Sequence, residues 1–404
     1  MLLLTSGSTR VRVLVAMSGG VDSSVAAGLL VERGHQVVGA TMKLWGGSSD
    51  TGCCSVADVE DARRVAQQLG IDHHVFNFSS EFDRWVVAPY VEDHAGGRTP
   101  NPCVECNRHL KFDRFLRRAR VLGFDAIATG HHARVVHAAG GARLLRGADP
   151  AKDQSYVLHM LSADQLERVL LPVGEMTKAD VRATAARMGL RTAAKPDSQD
   201  VCFISRTGGR GEFLAGRIPL RPGTVLDQEG RALGSVGAVQ LMTVGQRRGL
   251  GIPAPRSPKG LTGGASPAGR RGPNPDDGRA EPNPDDGRAG ASLDDRRYVL
   301  DVDVESATVT VGPLESLMVS EVALRRVSWV AAGLDDCSPV ELQCSAHGRS
   351  VPGRWRWSAP GAGEGTPGAG EGKVELDEPI RRVAPGQSGV IYAGDEVVGG
   401  GTVV

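Results

Sequence analysis

VLVAMSGGVDSS, residues 13–24, is the stretch whose reading decides the fold. An apolar run of strand character, VRVLVAM (11–17), passes into two glycines and then into a helix-forming segment. Glycines allow a tight turn whose backbone N–H groups face an anion. Ser18 and Ser23 add hydroxyl donors, and the helix N-terminus adds partial positive charge. Turn chemistry alone also permits an ordinary strand–helix turn with Asp22 as N-cap. The sequence contains no GxxxxGK[ST], which excludes a Walker loop.

Outward from this stretch, strand and helix patterns alternate. DSSVAAGLLVERG (22–34) reads as a helix with Val25, Leu29 and Leu30 inward, and QVVGATMKL (36–44) as a second strand. SVADVEDARRVAQQLG (55–70) reads as a helix closed by glycine, with further strands at HHVFNF (73–78) and DAIATGH (125–131). This alternation predicts an α/β domain with a doubly wound, mostly parallel sheet, with its ligand at the carboxyl ends of the strands. Beyond about residue 206, short Val-rich runs separated by Gly and Pro predict two smaller β-rich domains, the last a β-barrel. The expected division is 1–205, 206–313 and 314–404. An insertion at about 255–297, carrying PNPDDGRA at 273–280 and again at 282–289, is too poor in apolar residues to fold. PGAGEG at 360–365 and 367–372 reads as an expanded hairpin loop.

The chain has 404 residues, with 47 Lys+Arg against 47 Asp+Glu, so contact with nucleic acid has to come from local patches. No apolar run reaches the ~20 residues of a membrane helix. The opening MLLLTSGSTR lacks the pattern of a secretory signal, so a cytoplasmic protein is expected. Seven irregularly spaced cysteines argue against a secreted disulfide framework and for a few chemically employed thiols.

Those thiols fall into four groups. Cys103 and Cys106, in TPNPCVECNRHLKF (99–112), are placed in a loop preceding a helix that begins near Arg108; Cys202 opens a short strand in AAKPDSQDVCFISR (193–206). Cys53 and Cys54 precede a helix, whereas Cys337 and Cys344 in the β-rich tail are expected to pack. A closed zinc site at Cys103/Cys106 needs a second close ligand pair, which the adjacent His131 and His132 do not form. A thioredoxin-like pair opens a helix directly after a strand, and here Pro100 and Pro102 intervene. Thiol chemistry that includes Cys202 is the leading reading. The helix after the pair places Arg108, Lys111, Arg114 and Arg118 opposite Phe112, Phe115, Leu116 and Ala119, a basic face suited to phosphate contacts or simply to solvent.

SGGVDS in this strand–loop–helix context resembles the PP-loop of the N-type ATP pyrophosphatases, which cleave ATP between the α and β phosphates. SGGVDS (18–23), TMKLW (41–45), GRTPNP with CN and LKF (97–112), ATGHHAR (128–134), LLRGADPAKDQSYVL (144–158), LPVGEMTK (171–178), DSQDVCFI (197–204), VGQRRGLG (244–251) and PGQSGVIYAGDEVVGGG (385–401) occur in order. Together they resemble the tRNA-uridine 2-sulfurtransferase family across nearly the whole chain apart from the repeats.

The resemblance implies ATP-dependent 2-thiolation of the wobble uridine, position 34, of tRNA. ATP adenylates O2, which turns a poor leaving group into a good one, and sulfur then displaces AMP. It implies ATP contacts at Ala16, Met17, Ser18, Gly19, Gly20, Val21, Asp22, Ser23, Met42 and Gly130, with Mg²⁺ placed on the pyrophosphate through Asp22. For Met42 the residues alone favour core packing. Cys202 matches the thiol that carries a persulfide, supplied by a relay from a cysteine desulfurase. Cys106 matches the nucleophile that ends in a disulfide with Cys202, which a reductant must reopen. Asn101, Pro102 and Cys103 match the stretch that meets the target base; His131, Lys152, Asp153, Gln154 and Gln387 match tRNA contacts.

Two departures stand out. Many family members have Asp at the position of Cys103. A third thiol there also permits a [4Fe–4S] cluster on Cys103, Cys106 and Cys202, with one iron open to sulfide. Ser345, in QCSAHGRS (343–350), stands where the family pattern has Arg, with His347 and Arg349 as substitutes. The rival class on the same loop is an ATP-dependent amine or amide ligase, which needs no thiols; a metal-bearing RNA-binding protein without catalysis is the other.

Overall fold

The computed structural model describes residues 10–44, 55–138, 140–197, 201, 203–204, 209–252, 296–330, 333–358 and 370–404. Residues 1–9, Cys53, Cys54, Cys202, nearly all of the 255–297 insertion and the second repeat through residue 369 lie outside them. Two compact units emerge: residues 1–94, 98–203 and 318–404 in one, and 95–97 with 204–317 in the other.

The first unit is built on five parallel strands in the order β3-β2-β1-β4-β7: β1 (Arg12–Ala16), β2 (Gln36–Lys43), β3 (His73–Asn77), β4 (Ala126–Ala128) and β7 (Val169–Leu170). β1 lies between β2 and β4, so the chain order reverses across β1, and the crevice that binds ligands in such sheets opens at its carboxyl end. Val13, Leu14 and Val15 are fully buried because both faces of the strand are covered.

Helix α1 (Val21–Glu32) buries Val25 and Leu30 against this sheet, with Leu29 half-buried, and α2 (Val56–Gln68) starts from the Ser55 cap, whose hydroxyl accepts from Asp58 N. Left-handed Gly34 and Gly70 end the two helices. α1 begins at Val21 with Gly20 as cap, so Asp22 is not the N-cap; its carboxylate is used elsewhere.

A continuous helical run over 79–95, α3, precedes a second over 102–121, α4, whose middle segment Cys106–Arg114 is wound more widely, as a π-helix. This corrects the sequence expectation for the cysteines. Cys103 and Cys106 lie in the helix, not in a loop before it. The Asn101 side chain accepts from Cys103 N as N-cap, and Pro102 takes the first helical position, where its missing N–H costs nothing. Asn101-Pro102 is here a helix start.

The expected apolar side holds: Phe112, Phe115, Leu116 and Ala119 are buried, and Leu110 joins them. The basic side is largely engaged within the protein, Arg108 with Glu105, Arg114 with Glu81, and Arg118 over the ring of Phe76.

The hairpin of β5 (Ala133–Ala138) and β6 (Gly141–Arg146) joins a barrel of six strands. These are β12 (Met318–Trp329), β15 (Gly370–Arg381), β14 (Val351–Trp357), β13 (Pro339–Gln343), β16 (Ser388–Ala393) and β17 (Glu396–Val403), closed by β12 pairing β17. Closure removes the open edges that an isolated sheet exposes. Trp355 is fully buried and meets Trp329 and Trp357 edge to face.

Cys344 packs half-buried against this core, where burial pushes its thiol up to about 12. Cys337 does not pack. It is exposed in a left-handed turn, φ 66°, with its sulfur against Arg356 and Asp336.

The second unit holds a four-stranded sheet, β10-β11-β8-β9: β8 (Gly223–Leu226), β9 (Ala232–Val236), β10 (Tyr298–Asp303) and β11 (Thr308–Gly312). Val225, Val299, Val309 and Val311 form its core. Among the described residues no helix is long and apolar enough to cross a membrane.

Candidate active site

The phosphate loop closes on itself. Ser18 N donates to Ser23 Oγ at 3.2 Å, the two hydroxyls lie 3.3 Å apart, and Ser24 Oγ donates to Gly20 O at 2.7 Å. Gly19 is left-handed, φ 75°, and a Cβ there would fall 2.3 Å from the carbonyl oxygen of Asp58 in α2. Neither the Gly19 nor the Gly20 amide has a protein acceptor among the described residues, so both are available to an anion.

Gly130, in the loop after β4, seats directly on this turn: a Cβ there would meet Ser23 N at 2.5 Å and the Asp22 carbonyl carbon at 2.7 Å. The two loops that flank the topological switch are thus in backbone contact. Ala16 and Met17 lead into the turn and are buried, and Met42 is buried at the end of β2, where Thr41 Oγ1 donates to Met17 O at 2.7 Å.

Asp22 carries the charge of the loop. Lys178 Nζ lies 2.7 Å from both of its carboxylate oxygens, and His132 Nε2 lies 3.0 Å from Oδ1. Burial pushes the Asp22 carboxyl up, but the bonds from His132 and Lys178 outweigh it, and the group titrates below its ordinary value. His132 Nδ1 is buried with no partner among the described residues.

Lys178 is the first residue of α5 (Lys178–Arg187), fixed by a capping box of Thr177 and Asp180. Its Nζ also reaches Asp197 at 2.9 Å, which Lys152 (3.0 Å) and Arg182 (2.7 Å) hold as well. Burial acts to raise the Asp197 carboxyl, but Lys178 and Lys152 bring it down. Asp197 lies five residues before Cys202 in the sequence. On the far side of that cysteine, Phe203 packs edge-on against Phe82 and Tyr90 of α3.

The thiol helix connects to the loop through rings. Cys106 is buried and Cys103 exposed. Asn107 donates to Val157 O at 3.0 Å, and Phe112 lies 5.6 Å from the ring of His131. His131 is itself buried, with Nδ1 2.7 Å from Thr129 Oγ1; desolvation holds its pKa well below the ordinary value, so it stays neutral. Before the helix, Thr99 N donates to Pro385 O, and the Gln387 carboxamide donates to Thr99 O at 2.6 Å. The barrel thereby holds the stretch that enters Asn101, Pro102 and Cys103.

The positions matched to tRNA contacts divide in two. Lys152 is half-exposed beside Asp197. Asp153 is turned inward, accepting from Gly147 N, Ser155 N and Ser155 Oγ. Gln154 grips the histidine next to the loop: its backbone N–H donates to His132 O at 2.8 Å and its Oε1 accepts from His132 N at 2.9 Å. Arg349 pairs with Glu378 on the barrel surface.

Sequence reasoning assigned no role to His132, Lys178, Arg182 or Asp197. The helix start at Thr177 was readable as a cap, but nothing local signals that Lys178 meets an aspartate 156 positions away. Among the described residues, no three His, Cys, Asp or Glu side chains converge as a metal site. Cys103 and Cys106 offer two thiols one turn apart, and Cys202 lies outside the described residues.

The arrangement can bind a polyphosphate on backbone amides, offset its charge with Lys178, and present thiols on an adjoining helix. Residues 11–206 match a family model described as the tRNA methyl transferase HUP domain, and residues 320–403 one described as an aminomethyltransferase beta-barrel domain. The chain is 42% identical to the tRNA-specific 2-thiouridylase MnmA of Beutenbergia cavernae, over 97% of this chain and 94% of that one. It is also 42% identical to the protein of that name from Mycolicibacterium smegmatis and 41% to that of Roseiflexus sp., in each case over 97% of this chain and 99% of the relative.

Proposed function

The chain belongs to the tRNA-specific 2-thiouridylase family and is a tRNA-uridine 2-sulfurtransferase, and from that premise we propose how its residues divide the reaction. Uracil O2 of the wobble uridine attacks the α-phosphorus of ATP, and pyrophosphate leaves. The Gly19 and Gly20 amides and the α1 N-terminus bind the phosphates, and Lys178 meets the charge that builds on the leaving group. Asp22, Ser18 and Ser23 are the oxygen donors that would hold Mg²⁺, whose chemistry there is charge neutralisation of pyrophosphate.

Sulfur then replaces AMP. The Cys106 thiolate attacks the inner sulfur of a Cys202 persulfide, a Cys106–Cys202 disulfide forms, and the terminal sulfur leaves with the electron pair as sulfide. Sulfide adds to C2, AMP departs, and the thiocarbonyl remains. Each turnover consumes two electrons from a thiol reductant, and a desulfurase relay reloads Cys202. Asn101, Pro102 and Cys103 meet the unstacked base, since O2 is out of reach in a stacked loop. Residues 1–205 carry this chemistry and 314–404 support the entry to the thiol helix. A cytoplasmic location follows from the need for ATP, tRNA and reduced thiols.

The observation that carries the reading is the ion bridge Asp22–Lys178–Asp197, which ties the phosphate loop to the segment leading to Cys202. A PP-loop ligase has no use for the thiols. A second reading differs only in how sulfur is held: Cys103, exposed one turn before Cys106, would join it and Cys202 in holding a [4Fe–4S] cluster that presents sulfide.

The test is mass spectrometry of tRNA treated with ATP and a sulfur source, with Cys106→Ser and Cys202→Ser alongside. Loss of 2-thiouridine with pyrophosphate release retained supports the division of labour; 2-thiouridine formed by both variants at the parent's rate overturns it. Anaerobic purification with iron and sulfide analysis, repeated on Cys103→Ala, separates the two sulfur routes.

A further inference from the structure

We propose that the cleft beside Trp85 and His109 is a second RNA-contact site, stacking a nucleobase that neighbours the target uridine and holding its phosphate with arginine. The inference rests on the function proposed above. The cleft, about 480 Å³, opens between α3 and α4 and is large enough for one nucleotide.

Two flat rings, one from each helix, make its aromatic wall. Trp85 and His109 stack with centroids 4.6 Å apart and 18° between planes. Trp85 is 37% exposed, so its ring presents surface to a ligand instead of filling the core. Glu105 fixes His109 in this stack, 3.2 Å from Nε2. An aromatic platform of this kind accepts any base, because every base has a π-face.

Charge completes the match. Arg84 lies over the Trp85 ring at 4.9 Å, and Arg114 and Arg117 line the same cleft. Their partners are Glu81, 2.7 Å from Arg114, and Asp113, 2.6 Å from Arg117, so three arginines against two carboxylates leave one positive charge. The Arg117 side chain is 70% exposed, and an ion pair that open to water is readily exchanged for a phosphate.

Position supplies the third argument. His109 follows Cys106 by three residues in the same helical segment. A tRNA that brings its wobble base to Cys106 therefore carries the flanking, unstacked nucleotides past this wall.

The experiment measures binding of an anticodon stem–loop RNA to the full chain and to Trp85→Ala, Trp85→Phe and Arg117→Ala, with thermal melts to confirm folding. Thiolation of full tRNA is followed in parallel, once with inorganic sulfide and once with a protein persulfide donor. Trp85→Ala is expected to weaken RNA binding about tenfold and Trp85→Phe less than threefold, with ATP binding unchanged. Arg117→Ala, a change at an exposed side chain that does not threaten the fold, is expected to cost about threefold and to lower the salt slope by about 0.7.

A parent chain that thiolates tRNA while Trp85→Ala and Arg117→Ala bind RNA within twofold of it overturns the site. Slower thiolation only with the protein donor, at unchanged RNA affinity, also overturns it and makes the cleft a protein-docking surface. A parent that neither binds nor thiolates tRNA fails the functional reading itself, and this site with it.

Discussion

The phosphate loop and the thiol helix meet through the rings of His131 and Phe112, yet they are held by opposite means. The loop has little apolar burial of its own. Backbone contact at Gly19 and Gly130 shapes it, its charge is balanced by Lys178, and His132 bonds the same carboxylate, both from distant parts of the chain. The thiol helix is anchored by an apolar face and by a cap built from adjacent residues. Packing tolerates small adjustments, whereas a polyphosphate cradle and a charge bridge do not. Substitutions at the loop should therefore remove chemistry first, and those at the packed seams should remove stability first.

The strongest attempt to break that contrast is Gly130→Ala. Its Cβ would overlap the backbone at both Ser23 and Asp22, neither of which can turn aside as a side-chain tip does. AMP formation is expected to fall at least about a hundredfold, with about 3 kcal/mol lost in a urea melt. A variant that keeps AMP formation within tenfold would show that the loop has slack the contacts do not reveal.

At the packed seam the expected signature is pH-dependent stability. His159 is buried, its Nδ1 2.8 Å from Tyr156 O and its ring against Gly400 of the barrel; burial lowers its pKa to about 4, with Arg108 adding to the effect and Glu105 opposing it. The unfolded chain binds the proton at about 6.5, so between those values the unfolded state holds more protons. Stability is thus fully present above about pH 6.5 and is lost as the pH falls toward 4, by up to about 3 kcal/mol. His159→Gln should flatten that slope in melts taken from pH 4 to 7, while leaving the dependence of AMP formation on ATP concentration unchanged.

Lys178→Met probes the bridge between the two kinds of region. It leaves Asp22 with His132 alone and Asp197 with Lys152 and Arg182. AMP formation is expected to fall about thirtyfold, near 2 kcal/mol, with a smaller loss of stability because Lys152 and Arg182 still pair with Asp197 and His132 still bonds Asp22. A double cycle with Asp22→Asn should show strong coupling, since the two side chains share the same bonds.

What the sequence made legible follows the same division. The strand–loop–helix of residues 12–32 is encoded by an apolar run, two glycines and a helical pattern lying side by side, and the structure reproduces it within a residue or two. The parallel sheet and closed barrel followed from alternation and Val-rich runs. The thiol helix was misplaced because Asn101 and Pro102 carry two meanings, turn or helix start, and only the cap bond to Cys103 N selects one. The β5–β6 hairpin escaped because its partner is β17, some 250 residues later. Lys178 escaped for the same reason: its partner Asp22 lies 156 positions away and leaves no local pattern.

Gln154 is where the two readings separate most finely. Its match to a family tRNA contact leads one to expect that Gln154→Ala raises the KM for tRNA and leaves the ATP half-reaction alone. Its position argues otherwise, because the carboxamide oxygen holds His132 N at 2.9 Å and His132 in turn holds Asp22. Removing that oxygen leaves a partly buried N–H without its partner and lets the histidine drift from the loop, a loss of about 1 kcal/mol. ATP–pyrophosphate exchange is accordingly expected to fall about fivefold, and Gln154→Glu, which keeps an acceptor at the same place, should recover most of it. If exchange is unaffected and only the tRNA KM rises, the side chain serves the RNA directly, and the chain of bonds from Gln154 through His132 to Asp22 plays no part in adenylation.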